Sequence, residues 1–395
     1  PLESSLHQLK RLVATNSLDL SYHIQLLSLT TVTTQDPIHH PEIPHLLEKY
    51  HHLFELPTTL PPPRSTDHRI ILTEGENRVN VRPYRYPQFQ KWEIENQIKV
   101  MLEQGFIQQS SSAFSSPILL VRKKDDSWRF CVDYRALNAM TVKDHFPIPA
   151  IEELLDELYG TQWFSKLDLR SGYHQIKMSP MDVEKTAFRT HQGHYEFLVM
   201  PFGLCNAPST FQATMNIIFQ PFLRRFPMSD IKSFFFLKMS KCTFAQPSIS
   251  YLGHIVTVEG VSLDPDKISA MCNWPPPKTL KQLRGFLGLT SFYRKFIQNY
   301  VAIAHALTEL LKKDSFIWSD AAQIAFDNLK EAMTKAPVLA LPNFDQDFQI
   351  DTDASRLGMG AVLSQNGHPI AYFSKKFCQK LLSASTYVRE SAQPA

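Results

Sequence analysis

A chain of 395 residues, 43% hydrophobic and 20% charged, has room for two or three domains with real cores. Its net charge of only +3 excludes any argument for nucleic-acid binding from the total, so local basic runs must carry that case. Five scattered cysteines (Cys131, Cys205, Cys242, Cys272, Cys378) form no CxxC, which excludes a disulfide framework or zinc site and points to reduced, buried thiols inside a cell.

The amino terminus shows no signal-peptide pattern, and no apolar run approaches the ~18–20 residues of a membrane span. An intracellular, non-secreted protein is expected. The chain begins and ends abruptly, as a piece of a longer polyprotein would. Residues 1–66 hold short helical candidates and the proline-rich Leu60-Pro61-Pro62-Pro63-Arg64, and read as a linker or tether. The pairs His39-His40 and His51-His52 lie there without a cysteine or carboxylate cluster to complete a metal site.

An extended segment, Asp67 to Leu72, leads to a helix carrying Ile94, Ile98, Met101 and Leu102 on one face and stopping at Gly105. Strands follow at Pro117–Val121 and Trp128–Val132, joined by the charged turn Lys123 to Ser127. A second helix gathers Ile151, Leu154, Leu155 and Leu158 before Gly160, and a third runs from Pro208 through Phe211, Met215, Ile218, Phe219 and Phe222. Past residue 262 the pattern becomes helical. Thr279-Leu280-Lys281-Gln282 is a capping box ahead of Leu283, Phe286, Leu287, Tyr293 and Ile297, and a further helix holds Phe326, Leu329 and Met333. Strands return at Phe348–Asp353, Gly360–Leu363 and Pro369–Ser374, suggesting a separate small α/β unit. The units expected are 1–66, 67–262, 263–340 and 341–395.

Asp168 lies on an alternating stretch and is followed by Arg170-Ser171-Gly172-Tyr173, whose small residues let a ligand approach the backbone. Phosphoryl transfer to a primer hydroxyl needs two divalent ions ~3.5–4 Å apart, held by several converging carboxylates. The one adjacent aspartate pair, Asp125-Asp126, stands in a polar turn, and Asp230 is single. The carboxylate set is therefore short.

The runs Ser116–Val121, Cys131–Asn138, Lys166–Tyr173, Thr186–Thr190, Met200–Leu204 and Tyr251–His254 together resemble the reverse transcriptase and start of the ribonuclease H of a Ty3/gypsy-type LTR retrotransposon Pol polyprotein, of plant type. The resemblance spans about His68 to Glu390. It implies an α+β fold: a right-hand-like polymerase of fingers, palm and thumb, then a truncated ribonuclease H-like α/β domain. It further implies two Mg2+ ions, deoxynucleoside triphosphates, an RNA template and a DNA primer or duplex as ligands. Flanking protease and integrase domains, a role in DNA integration, and a cytoplasmic location within a virus-like particle also follow. Lys123 and Arg129 resemble residues that clamp the triphosphate, where ammonium and guanidinium suit phosphate charge. Tyr173 resembles the gate against a 2′-hydroxyl, Phe202 and Gly203 the turn beneath nucleotide and template, and Leu252, Gly253 and His254 the primer grip. The helix at 279–297 resembles the thumb, with Lys281, Arg284, Arg294 and Lys295 as phosphate contacts.

The departure from the family is as specific. Between Phe226 and Leu237 the family's paired-aspartate hairpin and following helix are missing, so the palm is expected to be incomplete, with exposed ladder groups and a poorly supported Phe211–Phe222 helix. Asp353 matches the nuclease's first metal ligand and Glu390 the second, with the remaining carboxylates expected beyond Ala395. The reading is a reverse transcriptase with a ribonuclease H-like region, catalytically defective. The alternatives are a non-catalytic nucleic-acid-binding remnant and a misfolded pseudogene product.

Overall fold

The computed structural model describes residues 40–57, 59–73, 78–122, 128–147, 150–219, 235–354 and 358–377. Lys123, Asp125, Asp126, Asp230 and Glu390 lie outside these residues. Ile43, Leu46 and Leu47 recur at helical spacing and give α1 (Ile43–Lys49), with Pro44 in the first turn, where a missing N–H leaves no bond unmade. Helix α2 (Gln88–Glu103) buries Ile94, Ile98 and Met101. Leu102, expected on that face, is 40% exposed, and Phe106 beyond the left-handed Gly105 is buried instead. At 100° per residue Leu102 stands roughly 80° from Ile94, at the edge of the apolar stripe.

Next come β1 (Ile107–Gln109), β2 (Ile118–Arg122), β3 (Trp128–Val132), α3 (Arg135–Met140) and α4 (Ile151–Asp156). Strands β2 and β3 pair antiparallel, Ile118 with Val132 and Arg122 with Trp128. In α4, Leu155 is buried while Leu154 is exposed. Strands β4 (Phe164–Lys166), β5 (Phe188–Arg189) and β6 (His194–Phe197) precede α5 (Ala207–Phe219). The order β1-β6-β5 makes one antiparallel sheet.

Strand β7 (Thr243–Gln246) pairs antiparallel with β4, and β8 (Ser248–Tyr251), β9 (His254–Thr257) and β10 (Gly260–Leu263) form a meander. The helical part follows: α6 (Pro265–Cys272), α7 (Leu280–Phe292), α8 (Tyr300–Ile303), α9 (His305–Glu309) and α10 (Asp320–Thr334). Half of the capping box expected at α7 is present: the Thr279 hydroxyl accepts from the Gln282 amide at 3.3 Å, but the Gln282 side chain accepts from the Lys278 amide at 2.7 Å, one residue before the cap. Finally β11 (Gln349–Ala354), β12 (Gly358–Gln365) and β13 (His368–Lys376) build an antiparallel sheet. It rests on the helices through Ser374, whose hydroxyl accepts from the Val301 amide at 3.2 Å, and through Lys376, 2.9 Å from Glu309.

Burial divides among three clusters. One, around Ile94, Ile118, Leu137, Phe188 and Met200, underlies α2 and the β1-β6-β5 sheet. A second joins Leu283, Phe286, Phe326 and Leu329 of the helical part to Leu155 and Phe164. The third is small: Ile43, Leu237, Cys242, Phe244 and Ala245. Among the four described cysteines only Cys242 is buried, and Cys272 is exposed, its sulfur 3.3 Å from the Thr334 hydroxyl.

The third cluster lies around Leu237, and there the described backbone groups are paired where open ladder groups were expected. Leu237 bridges antiparallel to Leu169. The Lys238 amide donates to the Asp168 carbonyl at 2.8 Å, the Arg170 amide to the Phe236 carbonyl at 2.9 Å, and the Leu237 amide to the Leu53 carbonyl at 2.7 Å. Buried Gln175 completes the join, accepting from the Phe236 amide at 2.6 Å and donating to the carbonyls of Phe236 and Arg170 at 2.8 and 2.7 Å. The backbone groups of Asp168, Arg170, Phe236, Leu237 and Lys238 named here thus find partners, as burial requires. Helix α5 is also held: Thr210 lies 2.8 Å from the His68 ring and Thr214 2.9 Å from the Thr66 hydroxyl.

Candidate functional site

Asp168 opens onto a cavity of about 1360 Å³ walled by α1, α2, β3, α5 and the 166–174 segment. Charge along it is one-sided. Arg129, Lys166, Arg170, Lys238 and Lys241 line it against the two carboxylates Glu93 and Asp168. Low-dielectric walls carrying one sign of charge concentrate counter-ions, here anions.

The Asp168 backbone is fixed on both sides. Its amide faces the Cys242 sulfur at 3.3 Å and its carbonyl accepts from Lys238. Three residues on, Ser171 takes a left-handed backbone (φ 45) and starts the helical turn Gly172–Gln175. A Cβ on Gly172 would stand 3.1 Å from the Phe211 ring, so a larger residue would require that ring to give way by a few tenths of an ångström. That turn puts Tyr173 against Phe202, stacked at 4.9 Å and 29°, with Phe211 at 5.4 Å. Burial raises the Tyr173 phenol above its ordinary value, so the ring meets the cavity as a neutral flat face. Gly203, at φ 102, lets the chain turn back under that ring, and Asn138 braces the turn by donating to the Gly203 carbonyl at 2.8 Å. His174 is packed among Phe106, Phe197 and Phe202, and burial pushes its imidazole down to about 4.

Arg129 is exposed on β3 and lines the same cavity, as do Asp168, Tyr173 and Phe202. Leu252, Gly253 and His254 form a tight turn between β8 and β9 and do not line this cavity. Of the four basic residues expected on the helix after Thr279, Lys281, Arg284 and Arg294 are exposed. Lys295 instead sits over the Phe296 ring, its ammonium lowered by burial and drawn by Glu152 and Asp156 of α4. Asp353 pairs with Gly360 in the β11–β12 ladder and is exposed, and Asp351 is hydrogen-bonded by Gln349 at 3.1 Å.

Two contributions escaped the sequence reading. The segment from Ile43 to Phe54 supplies a wall of the Asp168 cavity, and its signal was the Ile43, Leu46, Leu47 spacing. Gln175 ties the Phe236 backbone to that of Arg170, and no local pattern marks that role. Among the described residues no group of three or more His, Cys, Asp or Glu side chains converges as a metal site. The described side chains around Asp168 therefore do not fit a two-ion centre.

The helices and small antiparallel sheets that hold a basic, aromatic-floored cleft define a polymerase fold, and the β11-β12-β13 sheet that follows is ribonuclease H-like. Residues 121–237 match the family model "Reverse transcriptase (RNA-dependent DNA polymerase)" and residues 318–392 the model "RNase H-like domain found in reverse transcriptase". The chain is similar to the retrovirus-related Pol polyprotein from transposon 297 of Drosophila melanogaster, 39% identical over 358 residues, covering 82% of this chain and 34% of that protein. It is also 30% identical over 384 residues to the transposon Tf2-3 polyprotein of Schizosaccharomyces pombe, covering 89% of this chain and 29% of that one. Among solved structures, the foamy viral protease-reverse transcriptase with double-stranded DNA superposes with TM-score 0.80 at 21% identity, covering 88% of this chain and 67% of that one. The same protein with an RNA/DNA hybrid gives 0.77 at 21%, covering 89% and 51%. Those structural likenesses establish the fold. The chain belongs to the reverse transcriptase and ribonuclease H-like region of Ty3/gypsy-type retrotransposon Pol polyproteins, and spans about a third of the length of the curated relatives it matches.

Proposed function

We propose that this chain keeps the binding surface of an RNA-directed DNA polymerase but does not transfer nucleotides. The observation that carries the reading is the composition of the cleft: five basic side chains and the Tyr173–Phe202 stack surround Asp168, with Glu93 as the one other described carboxylate. Basic side chains and an aromatic floor suit a nucleic-acid duplex and a deoxynucleoside triphosphate. Magnesium is the ion the family resemblance calls for, and Asp168 alone supplies too few hard oxygen ligands to hold two ions. Lys123 and Arg129 would clamp the triphosphate, Tyr173 would exclude a 2′-hydroxyl, Phe202 and Gly203 would floor the nucleotide, and Leu252, Gly253 and His254 would meet the primer end.

In the ribonuclease H-like region, Asp353 and Glu390 would be the metal ligands, and with two carboxylates the same shortage applies. The unit boundaries at 66, 262 and 340, the flanking protease and integrase, the link to DNA integration, the plant source and the cytoplasmic particle are all parts of this proposal. No described helix is long and apolar enough to cross a membrane. The test is incorporation on a poly(rA)–oligo(dT) template with magnesium, paired with duplex binding. Binding without incorporation above an Asp168→Ala control is the expected result. Incorporation that Asp168→Ala abolishes would overturn the catalytic half, and absence of binding would overturn the other.

A further inference from the structure

The turn between β8 and β9 is shaped from outside its own meander. The Gly253 carbonyl accepts two hydrogen bonds, from the Asp264 amide at 3.2 Å and from the Tyr293 hydroxyl at 3.1 Å. Asp264 follows β10 in the same meander, whereas Tyr293 closes α7. Leu252 and Gly253 both hold left-handed backbones, φ 49 and 85. A leucine persists there only where its surroundings over-determine it.

Those surroundings come from the end of α7. The His254 ring packs edge-on to Tyr293 at 5.4 Å, tilted to Phe292 at 5.5 Å and stacked on Phe296 at 5.6 Å. His254 is buried and neither ring nitrogen makes a hydrogen bond, so it acts here as a packing piece. The Tyr293 hydroxyl sets the spacing: a Cβ on Gly253 would meet that oxygen at 2.5 Å but the ring carbon bearing it at 3.7 Å. The outcome is a turn that projects Leu252, 52% exposed, away from the meander.

We propose that Tyr293 is a positioning residue, whose hydroxyl holds the Leu252–Gly253 turn in the shape that meets the terminal nucleotide of a primer. The inference rests on reading that turn as the primer contact. It adds that α7 and the turn move as one body, so a shift of the helix along a duplex is passed to the primer end.

The experiment places 2-aminopurine at the 3′ end of a primer on an RNA template and reads its fluorescence at saturating full-length protein. Tyr293→Phe keeps the ring and removes the hydroxyl. It is expected to weaken the terminal signal roughly three- to tenfold, the fold-change of one lost hydrogen bond, while the thermal midpoint moves by only a few degrees. Gly253→Ala is expected to lower the midpoint, and to lower it less in the Tyr293→Phe background, where the 2.5 Å contact is gone. A wild-type terminal signal that Tyr293→Phe leaves unchanged would overturn the positioning role. A wild-type protein that binds duplex without any terminal signal would overturn the primer-contact reading itself, and the inference with it.

Discussion

At the scale of single residues, Gln175 and His68 carry consequences that can be measured. Gln175 spends its whole amide on backbone groups of Phe236 and Arg170, in a buried position. Gln175→Leu fills the same space and leaves buried polar groups unpaired, which should cost about 2–4 kcal/mol in urea unfolding. His68 is 1% exposed, and burial depresses its imidazole from 6.5 to about 4, against weaker pulls from Asp182 and Asp144. Between those values the unfolded chain binds the proton and the folded one does not. Stability from this group is therefore complete above pH 6.5 and falls as pH drops toward 4, by about 3 kcal/mol in all. The thermal midpoint should fall over that window, and His68→Asn should flatten the slope. A slope unchanged by the substitution would contradict the buried neutral ring.

At the scale of elements, the Phe235–Leu237 segment is tied into the fold by a bridge and by backbone hydrogen bonds. Phe235–Leu237 runs against Asp168–Arg170, and the 43–54 segment closes over the join through Leu53 and Phe54. Leu237→Ala should cost about 2–4 kcal/mol. Ile43→Ala in the same cluster should cost somewhat less, and the pair should couple by about 0.5 kcal/mol or more because both line one small core. Additive losses would mean that α1 does not support the join.

The sequence made the periodic elements readable: Ile94, Ile98 and Met101, the helix start capped by Thr279, and the alternating strands around Asp353 all lie where their spacing put them. Leu102 and Leu154 were misassigned because each sits at the margin of its stripe, where rotation along the helix decides burial. The join was not readable. Spacing reports local geometry, whereas the bonds from Leu237 to Leu53 and from Gln175 to Phe236 cross distances in sequence that no local pattern encodes. In the same way the Asp168 cleft was legible as motifs, but its α1 wall and the Tyr293 brace were not.

At the scale of the whole molecule, a net charge of +3 hides a polarised interior surface. Arg129, Lys166, Arg170, Lys238 and Lys241 face one cavity, and a duplex held there releases the counterions of the phosphates they neutralise. With all five engaged, log affinity should fall with log salt at a slope of about −4 to −5. Lys238→Ala with Lys241→Ala should reduce that slope by about 2. A slope near zero would mean the duplex binds elsewhere.

Among the described residues the cleft holds Glu93 and Asp168 as its carboxylates, and the proposed outcome is duplex binding without nucleotide transfer. The most direct measurement is deoxythymidine incorporation on poly(rA)–oligo(dT) with magnesium, comparing wild type with Asp168→Ala at equal duplex occupancy. The account predicts that the two are indistinguishable at background. Incorporation by the wild type that Asp168→Ala abolishes would show a working two-ion site and contradict it.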